Sequence, residues 1–516
     1  MILMNNKNKQ NSYCFFCLKK NLFKDRIWMF RIKNIKWQKN GKKRYKIIII
    51  YKLKINICIK NAKCLTKNIE RGNIKMSKGS VCTMLLEFSC SNFKSIKDEV
   101  TITFRANSDD THKEELKKFE KYNILRSAVI YGPNGSGKSN FINSLIFLKL
   151  LVSNSIQNQP GETISQMGHK LNNDEVPTEF NILFVKNNIR YAYGISIKKG
   201  LVNEEYLYYF PNGKKTIVFE REQMKVTEGT QFKNNFKLSY DALKENRLFL
   251  SCIANFSKVD IVVDAYMFFK EDIVIYNSEL NNWRDYSAEI LQNNQEIKEK
   301  FIKIMRALGT DIIDVKSIVR KRLISEILPQ GAIPDEIKSM IKPDTVANEV
   351  NIKLVYEQFE TDLIHEESRG VQKLFEILCP LLDIVENGKL LIFDEIETSL
   401  HEIVVRELLK IFKFSQKNKF AQLLFSTHDT SLLDSELFRR DQIWFTELNK
   451  ERATDLYSLI EIRNVRKNEN YKNGYINGKY RAIPILSQNI FEFFRKEGDE
   501  EYWLDEMFLL KKEEKI

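Results

Sequence analysis

The sequence predicts an α/β fold built around a mixed sheet with flanking helices, and three observations support this. An apolar strand, Ala128 to Tyr131, runs directly into the loop GPNGSGKS at residues 132–139, and a helical pattern follows. Two further apolar strands lie at residues 389–393 and 421–427, and polar or charged residues follow each of them. Open α/β sheets bind their ligands at the carboxyl ends of their strands, so these residues predict one shared site.

The loop at residues 132–139 has the pattern of a phosphate-binding loop. Its glycines allow the backbone dihedrals with which N–H groups surround a polyphosphate, and the next helix points its positive end there. Lys138 is placed to reach the β- and γ-phosphates, and Ser139 offers a hydroxyl to Mg²⁺. Because a strand and a helix flank the loop as the motif requires, a chance match is disfavoured. The residues expected to contact a nucleoside triphosphate are Gly132, Pro133, Asn134, Gly135, Ser136, Gly137, Lys138, Ser139 and Asn140.

Three downstream features extend this site. Asp394 and Glu395 end an apolar strand, where Asp394 can hold the Mg²⁺ shell and Glu395 can act as the catalytic base on a water. Ser368 and Gly370 open a helical pattern, which makes their turn a second anion site. His428 follows another core strand and can hydrogen-bond a γ-phosphate. A lone histidine is more often structural, but the order of these features favours function.

The net charge of +14 is unevenly distributed along the 516 residues. Residues 1–80 contain 22 Lys and Arg against 2 Asp and Glu, which leaves 60 against 66 in the remainder. The body of the protein is therefore mildly acidic, and its charge gives little support to nucleic-acid binding.

The basic leader lacks core-forming periodicity, so we interpret it as disordered or as a start assigned too early, rather than as a phosphate-binding arm. We expect that deleting residues 1–83 leaves folding intact. Its cysteines Cys14, Cys17, Cys58 and Cys64 are spaced too loosely to favour a zinc site. No targeting or membrane-spanning segment is apparent, and a cytoplasmic protein with reduced thiols is expected.

About 250 residues separate the phosphate loop from the Asp-Glu strand, which indicates an insertion. Alternating segments between residues 179 and 221 predict an antiparallel layer, and residues 241–345 are mainly helical in pattern without a sustained heptad. After His428 two strands and an amphipathic helix, residues 482–494, are expected. The expected domains are the leader 1–83, a first lobe 84–240 with the phosphate loop, an inserted helical lid 241–349, and a second lobe 350–516.

The order of these motifs resembles the ATP-binding-cassette class, and within it the branch of the chromosome-maintenance and RecF-type ATPases. LLEFSCSNFKSI at residues 85–96 is similar to the opening strand and turn of that branch. Closer likeness is to AAA-family ATPases of bacterial abortive-infection and phage-defence systems, of the RloA and AbiLi kind. The segments concerned are RYAYG (190–194), ENRLFLS (245–251), DEIETSLH (394–401), FSTHDTSLLD (425–434), RRDQIWF (439–445) and GYINGKYRAIP (474–484).

The resemblance implies a Mg²⁺-dependent ATPase whose heads form a homodimer or higher oligomer around ATP. Ser368 and Gly370 would then contact the γ-phosphate bound by the other subunit, and His428 would sense that phosphate. It also implies a separate effector of nuclease type, because no Asp-x-Asp motif of an appended nuclease follows residue 430. The alternatives are a RecF-like ATPase that clamps DNA and a nucleotide-locked scaffold that does not hydrolyse ATP.

Some positions depart from the family pattern. The signature is ESRGVQ instead of LSGGQ, which together with the absence of a transporter segment disfavours transport. Gln157, Gln159 and Gln166 are all candidates for the glutamine that usually precedes the signature. His401, followed by Glu402, is interpreted as structural.

Overall fold

The structure is a computed structural model that describes residues 2–4, 11–16, 28–33, 82–276, 283–323, 346–414 and 419–484. The chain divides into two compact units, Met1–Gly79 and Ser80–Ile516. In the first unit, the segments Ile2–Met4, Asn11–Phe16 and Trp28–Lys33 pair as an antiparallel sheet, although the sequence pattern predicts no strands there. The second unit contains every candidate site residue.

The strands of the second unit are β1 (Met84–Ser91), β2 (Val100–Thr103), β3 (Lys117–Phe119), β4 (Tyr122–Ile124), β5 (Ser127–Tyr131), β6 (Thr178–Lys186), β7 (Ile189–Lys198), β8 (Leu201–Phe210), β9 (Thr216–Glu222), β10 (Lys225–Glu228), β11 (Ile273–Tyr276), β12 (Asp314–Leu323), β13 (Val346–Val355), β14 (Glu360–Asp362), β15 (Leu390–Phe393), β16 (Gln422–Ser426), β17 (Ile443–Leu448) and β18 (Thr454–Ser458). Its helices are α1 (Lys138–Asn154), α2 (Lys237–Tyr240), α3 (Phe249–Phe256), α4 (Asp260–Met267), α5 (Trp283–Asn293), α6 (Gln295–Ala307), α7 (Arg369–Asn387), α8 (Glu402–Phe414) and α9 (Tyr471–Ile476).

A six-stranded sheet in the order β11-β15-β16-β5-β17-β18 forms the centre of the fold. The first five strands are parallel, and β18 pairs with β17 in the antiparallel sense. The carboxyl ends of β5, β15 and β16 therefore lie side by side, as the sequence predicts. This mixed, mainly parallel sheet with flanking helices confirms the α/β class.

A second sheet of seven antiparallel strands, in the order β10-β9-β8-β7-β6-β1-β2, forms the predicted antiparallel layer. Its long strands β6, β7 and β8 follow the alternating segments of the sequence closely. Strand β1 is also joined to the central sheet, because Gln422 of β16 exchanges hydrogen bonds with the backbone of Leu85. The two sheets thus belong to one folding unit.

The central sheet is covered on both faces. Successive residues of a strand point to opposite faces, and in β5 the residues Ala128 and Ile130 join one buried cluster while Val129 and Tyr131 join the other. Each residue of β5 is buried. A fully apolar strand without alternation is what a strand covered on both faces requires.

The helices expected in the lid are present, but residues 241–349 are not purely helical. Strand β11 pairs in parallel with β15 and forms an edge of the central sheet, and β12 pairs with β13 in a separate three-stranded sheet. The apolar spacing around Ile290 and Phe301 reflects packing of α5 and α6 against α7. The prediction of one compact helical lid is corrected accordingly, since part of this segment belongs to the head itself.

The start of the second unit lies before the predicted boundary at residue 84. Cys82 is buried, and its backbone exchanges hydrogen bonds with Asn188, so it already belongs to the fold. The amphipathic helix predicted for 482–494 lies almost wholly outside the described residues. In the part of the chain that the structure describes, no helix is both long and apolar enough to cross a membrane.

Candidate functional site

The phosphate loop connects β5 to α1 at the carboxyl edge of the central sheet. Gly137 has φ +106° at the N-cap of α1 and Gly135 has φ +77°, so the backbone takes dihedrals that residues with a Cβ rarely adopt. The half-buried Ser139 lies in the first turn of α1. The N-terminal N–H groups of this helix are available to bind an anion, because no side chain in the described part of the chain caps them.

Lys138 is buried, and its ammonium donates hydrogen bonds to the carbonyl oxygens of Gly132 (2.8 Å) and Pro133 (3.2 Å). Burial lowers the pKa of Lys138 to about 8, and the charges of Asp394, Glu395 and Glu397 oppose that shift. A buried cation whose hydrogen-bond partners among the described residues are carbonyl groups fits a polyphosphate, whose negative charge would stabilise the ionised form.

Two threonines from neighbouring strands brace the loop from behind. Thr446 Oγ1 of β17 lies 2.6 Å from Ser136 Oγ and donates to the carbonyl of Tyr131. Thr454 Oγ1 of β18 donates to the carbonyl of Ser136 at 3.0 Å. Thr454 also packs closely against Gly137, because a Cβ on Gly137 would lie 2.0 Å from Thr454 Oγ1. Sequence reasoning missed both threonines, because more than 300 residues separate them from the loop.

The turn after β1 contacts the other side of the loop. Ser95 Oγ lies 2.7 Å from Thr454 Oγ1 and accepts a hydrogen bond from Asn140 Nδ2, also at 2.7 Å. A groove of about 840 Å³ begins here, and its lining includes Lys94, Gly135, Asn140 and Gln166. An open groove next to the loop can hold the part of a nucleotide beyond its phosphates.

Asp394 and Glu395 follow β15 and face the loop. Asp394 accepts a hydrogen bond from the hydroxyl of Ser426, and the same hydroxyl accepts one from the backbone N–H of Glu395 at 2.9 Å. Glu395 is exposed and adopts φ +53°, a left-handed conformation that is uncommon for glutamate. Backbone strain of this kind clusters at functional sites, and Ser426 holds the residue in place.

His428 and the half-buried Glu397 complete this edge of the sheet. Glu397 Oε1 accepts a hydrogen bond from the backbone N–H of His428 at 2.6 Å, while its buried Oε2 has no partner among the described residues. Burial lowers the pKa of His428, nearby Lys138 lowers it further, and the carboxylates of Glu397, Glu395 and Asp394 oppose this. The lowered pKa of His428 favours the neutral imidazole at pH 7. Sequence reasoning missed Glu397, although the segment DEIE shows a third carboxylate.

The signature turn lies at the start of α7. Ser368 is the N-cap, and its hydroxyl accepts a hydrogen bond from Val371 N at 3.3 Å. A Cβ on Gly370 would lie 3.1 Å from the carbonyl oxygen of Ser399, in the loop that follows the Asp-Glu strand. Among the described residues, no hydrogen bond or ion pair joins Ser368 or Gly370 to the phosphate loop of the same chain.

The remaining candidates differ in position. Gln166 lines the groove beside Gly135 and donates to the carbonyl of Val176, whereas the amide of Gln159 bonds the carbonyl of Gln157 at an exposed position. Of the three glutamines, Gln166 is the one placed at the groove. The exposed His401 accepts a hydrogen bond from Ile403 N at the start of α8, which agrees with a structural role.

Three solved structures of SMC heads are similar to this chain. One is a crystal structure of the SmcHead bound to the C-winged helix domain of ScpA (13% identity, covering 72% of this chain and 97% of that chain, TM-score 0.36). The others are the SMC head domain from Thermotoga maritima (14%, 72% and 98%, TM-score 0.34) and the Smc head domain with an extended coiled coil bound to the C-terminal domain of ScpA derived from Pyrococcus furiosus (13%, 73% and 96%, TM-score 0.31). No curated protein matches the chain.

The family described as "AAA domain, putative AbiEii toxin, Type IV TA system" matches residues 127–434, which is more than half of the chain. The match begins at β5, just before the phosphate loop, and ends shortly after His428, so it contains every candidate site residue. The chain therefore belongs to this AAA family.

Proposed function

We propose that this protein binds Mg²⁺ and ATP, hydrolyses ATP slowly, and uses the ATP-bound head pair to gate a separate effector. The observation that carries the proposal is the convergence of Lys138, Asp394, Glu395 and His428 at the carboxyl ends of β5, β15 and β16. Phosphoryl transfer needs little covalent chemistry from the protein, and it needs cations, a metal-holding carboxylate and an oriented water.

Each residue has a definite task in this proposal. The backbone of residues 132–139 and Lys138 hold the phosphates, while Ser139 and Asp394 hold Mg²⁺, which neutralises charge that develops on the phosphates. Glu395 orients the attacking water and accepts its proton. The neutral His428 donates a hydrogen bond to the γ-phosphate, and Glu397 fixes the backbone position of His428.

The proposal assigns Ser368 and Gly370 to a nucleotide on a second copy of the chain. In support, Ser368 and Arg369 are exposed at the start of this helix, and no hydrogen bond or ion pair joins Ser368 or Gly370 to the phosphate loop of the same chain within the described residues. In this arrangement residues 84–240 form a first lobe and 350–516 a second, with residues 241–349 between them. ATP would then be both substrate and part of the interface.

A role in phage defence is proposed from family membership and from the resemblance to the RloA and AbiLi kind. The family description names a toxin of a type IV toxin–antitoxin system. We expect a partner of nuclease type and a cytoplasmic setting. Three buried cysteines present as thiols, Cys90, Cys252 and Cys379, support a reducing compartment. The acidic charge of the body makes DNA a less favoured ligand.

Complementation between two defective chains tests this proposal. A Lys138→Ala chain and a Ser368→Arg chain should each be inactive alone, because every composite site in either homodimer lacks one half. Mixed together, they should form one intact site per heterodimer, from the phosphate loop of one chain and the signature of the other. The control is a chain that carries both Lys138→Ala and Ser368→Arg and is assayed alone, so that none of its composite sites is intact. If the mixture hydrolyses no more ATP than its separate components, the head pair is wrong.

A further inference from the structure

Lys373 lies on α7 five residues after Ser368, and it is a buried lysine. Its ammonium is placed over the ring of Tyr276 at 4.6 Å and over that of Phe393 at 5.2 Å. It forms no salt bridge with another described residue. A buried cation whose close neighbours are aromatic rings is unusual and costs free energy, so a role beyond packing is indicated.

The two aromatic rings locate this cation within the site. Tyr276 ends β11 and Phe393 ends β15, and their rings stack at 4.3 Å. Phe393 directly precedes Asp394, the expected metal ligand. Lys373 therefore lies next to the first residue of the loop that carries Asp394 and Glu395. Lys373 itself belongs to α7, the helix that begins at the signature turn.

Electrostatics link the lysine to the carboxylates. Burial lowers the pKa of Lys373, and the charges of Glu376, Glu397 and Glu395 act in the opposite direction. Glu376 is held by the hydroxyl of Tyr276 at 3.1 Å. Glu397 in turn accepts the N–H of His428 and leaves its other carboxylate oxygen buried without a partner among the described residues. The charge of Lys373 compensates for this concentration of negative charge.

We infer that Lys373 is a positioning residue that couples the signature helix to the catalytic loop of its own chain. Residues 368–373 span about 7.5 Å of helix axis, so Ser368 at one end can contact the partner's nucleotide while Lys373 contacts the base of its own Glu395 loop. Docking of the signature on one nucleotide is thereby transmitted to the carboxylates that hydrolyse the other. This inference rests on the proposed head pair.

The first test compares Lys373→Met with Lys373→Arg. Methionine keeps an unbranched apolar side chain and removes the charge, whereas arginine keeps the charge and the contact with aromatic rings. We expect Lys373→Met to lower kcat about tenfold, with the ATP affinity within about threefold of wild type. Lys373→Arg should recover most of the loss. Lys149→Met is the matched control, since Lys149 is a partly buried lysine of α1 whose pKa is lowered by burial alone.

The second test separates action within a chain from action across the interface. Heterodimers are purified with one affinity tag on each chain, and wild type paired with Glu395→Gln is the reference. If Lys373 acts within its own chain, Lys373→Met paired with Glu395→Gln should show the tenfold loss. A chain carrying both substitutions, paired with wild type, should match the reference. The opposite result would show that Lys373 acts on the partner's nucleotide and would overturn the inference.

Failure of the proposed function gives a different result. If wild type binds ATP without turning it over, the ATPase proposal fails. The coupling through Lys373 is then tested by hydrogen–deuterium exchange of wild type and Lys373→Met, each with and without ATP. Coupling predicts that ATP changes exchange in residues 394–400 in wild type, and that Lys373→Met abolishes this change while protection of residues 132–139 remains. Equal responses in both proteins, or wild-type kcat for Lys373→Met, would overturn the inference.

Discussion

A methyl group added to Gly137 should weaken ATP binding at the phosphate loop, whereas a methyl group added to Gly213, another glycine of positive φ, should not. The φ of +106° costs a residue with a Cβ about 1–2 kcal/mol. The new Cβ would also lie 2.0 Å from Thr454 Oγ1 and 2.7 Å from its Cγ2, an overlap that costs a further 1–3 kcal/mol or so. The total is about 2–5 kcal/mol, which corresponds to a loss of ATP affinity of about 30-fold to 4,000-fold if the loop alone yields.

The assay measures the dissociation constant for ATP by calorimetry and the free energy of unfolding in urea. Gly213→Ala is the matched control, because Gly213 has φ +77°, lies in an exposed turn far along the chain, and has no heavy atom within 4 Å of the place that its new methyl group would take. It should lose about 1 kcal/mol of stability and keep its ATP affinity.

A second substitution tests the cause. Thr454→Ala removes the two atoms nearest to the new methyl group, so it should recover part of the affinity lost in Gly137→Ala, even though Thr454→Ala alone loses a hydrogen bond to the Ser136 carbonyl. If Gly137→Ala binds ATP within about threefold of wild type, or if the double variant shows strict additivity, the reasoning about the brace is refuted.

Three further predictions concern other parts of the molecule. The pKa of His428 lies below its ordinary value of 6.5, so kcat at saturating ATP, where the bound phosphates keep Lys138 ionised, should be flat from pH 7 to 8 and fall only in more acidic buffer; a rate that rises on acidification contradicts this. Arg221 and Glu205 form a fully buried ion pair at 3.1 Å, so Arg221→Met should cost about 3–5 kcal/mol in urea unfolding while ATP affinity in the folded state is unchanged. A chain of residues 80–516 should bind ATP and have the same melting temperature as the full chain. A chain that begins at residue 84 should melt at a lower temperature, because it lacks the buried Cys82. Equal melting temperatures for the two shortened chains would contradict a boundary before residue 84.

Local sequence patterns were sufficient to predict much of the fold and the site residues that lie in the phosphate loop or directly after a core strand. The loop at 132–139, the strand before Asp394 and the strand before His428 are each recognisable within about ten residues, because apolar runs and glycines report local structure directly. The carboxyl ends of parallel strands meet at one edge, so their convergence could also be predicted.

The missed parts depend on contacts between distant segments. Strand β11 is only four residues long and lies more than 100 residues before its neighbour β15, so nothing local marks it as part of the central sheet. Thr446 and Thr454 are ordinary strand residues until the fold places them against the phosphate loop. Lys373 belongs to the amphipathic pattern of α7, and its position over two rings follows from the sheet beneath it.

The proposal that Glu395 activates a water at a site formed with Lys138 and Asp394 depends on the carboxylate of Glu395, which Glu395→Gln removes. ATP turnover and sedimentation are measured for residues 80–516, wild type beside Glu395→Gln, with and without duplex DNA. We expect slow turnover that Glu395→Gln abolishes, together with an ATP-dependent dimer that the substitution stabilises and DNA does not affect. Unchanged turnover in Glu395→Gln without a stabilised dimer would contradict the role of Glu395 in hydrolysis, and turnover stimulated by DNA would indicate a DNA clamp instead.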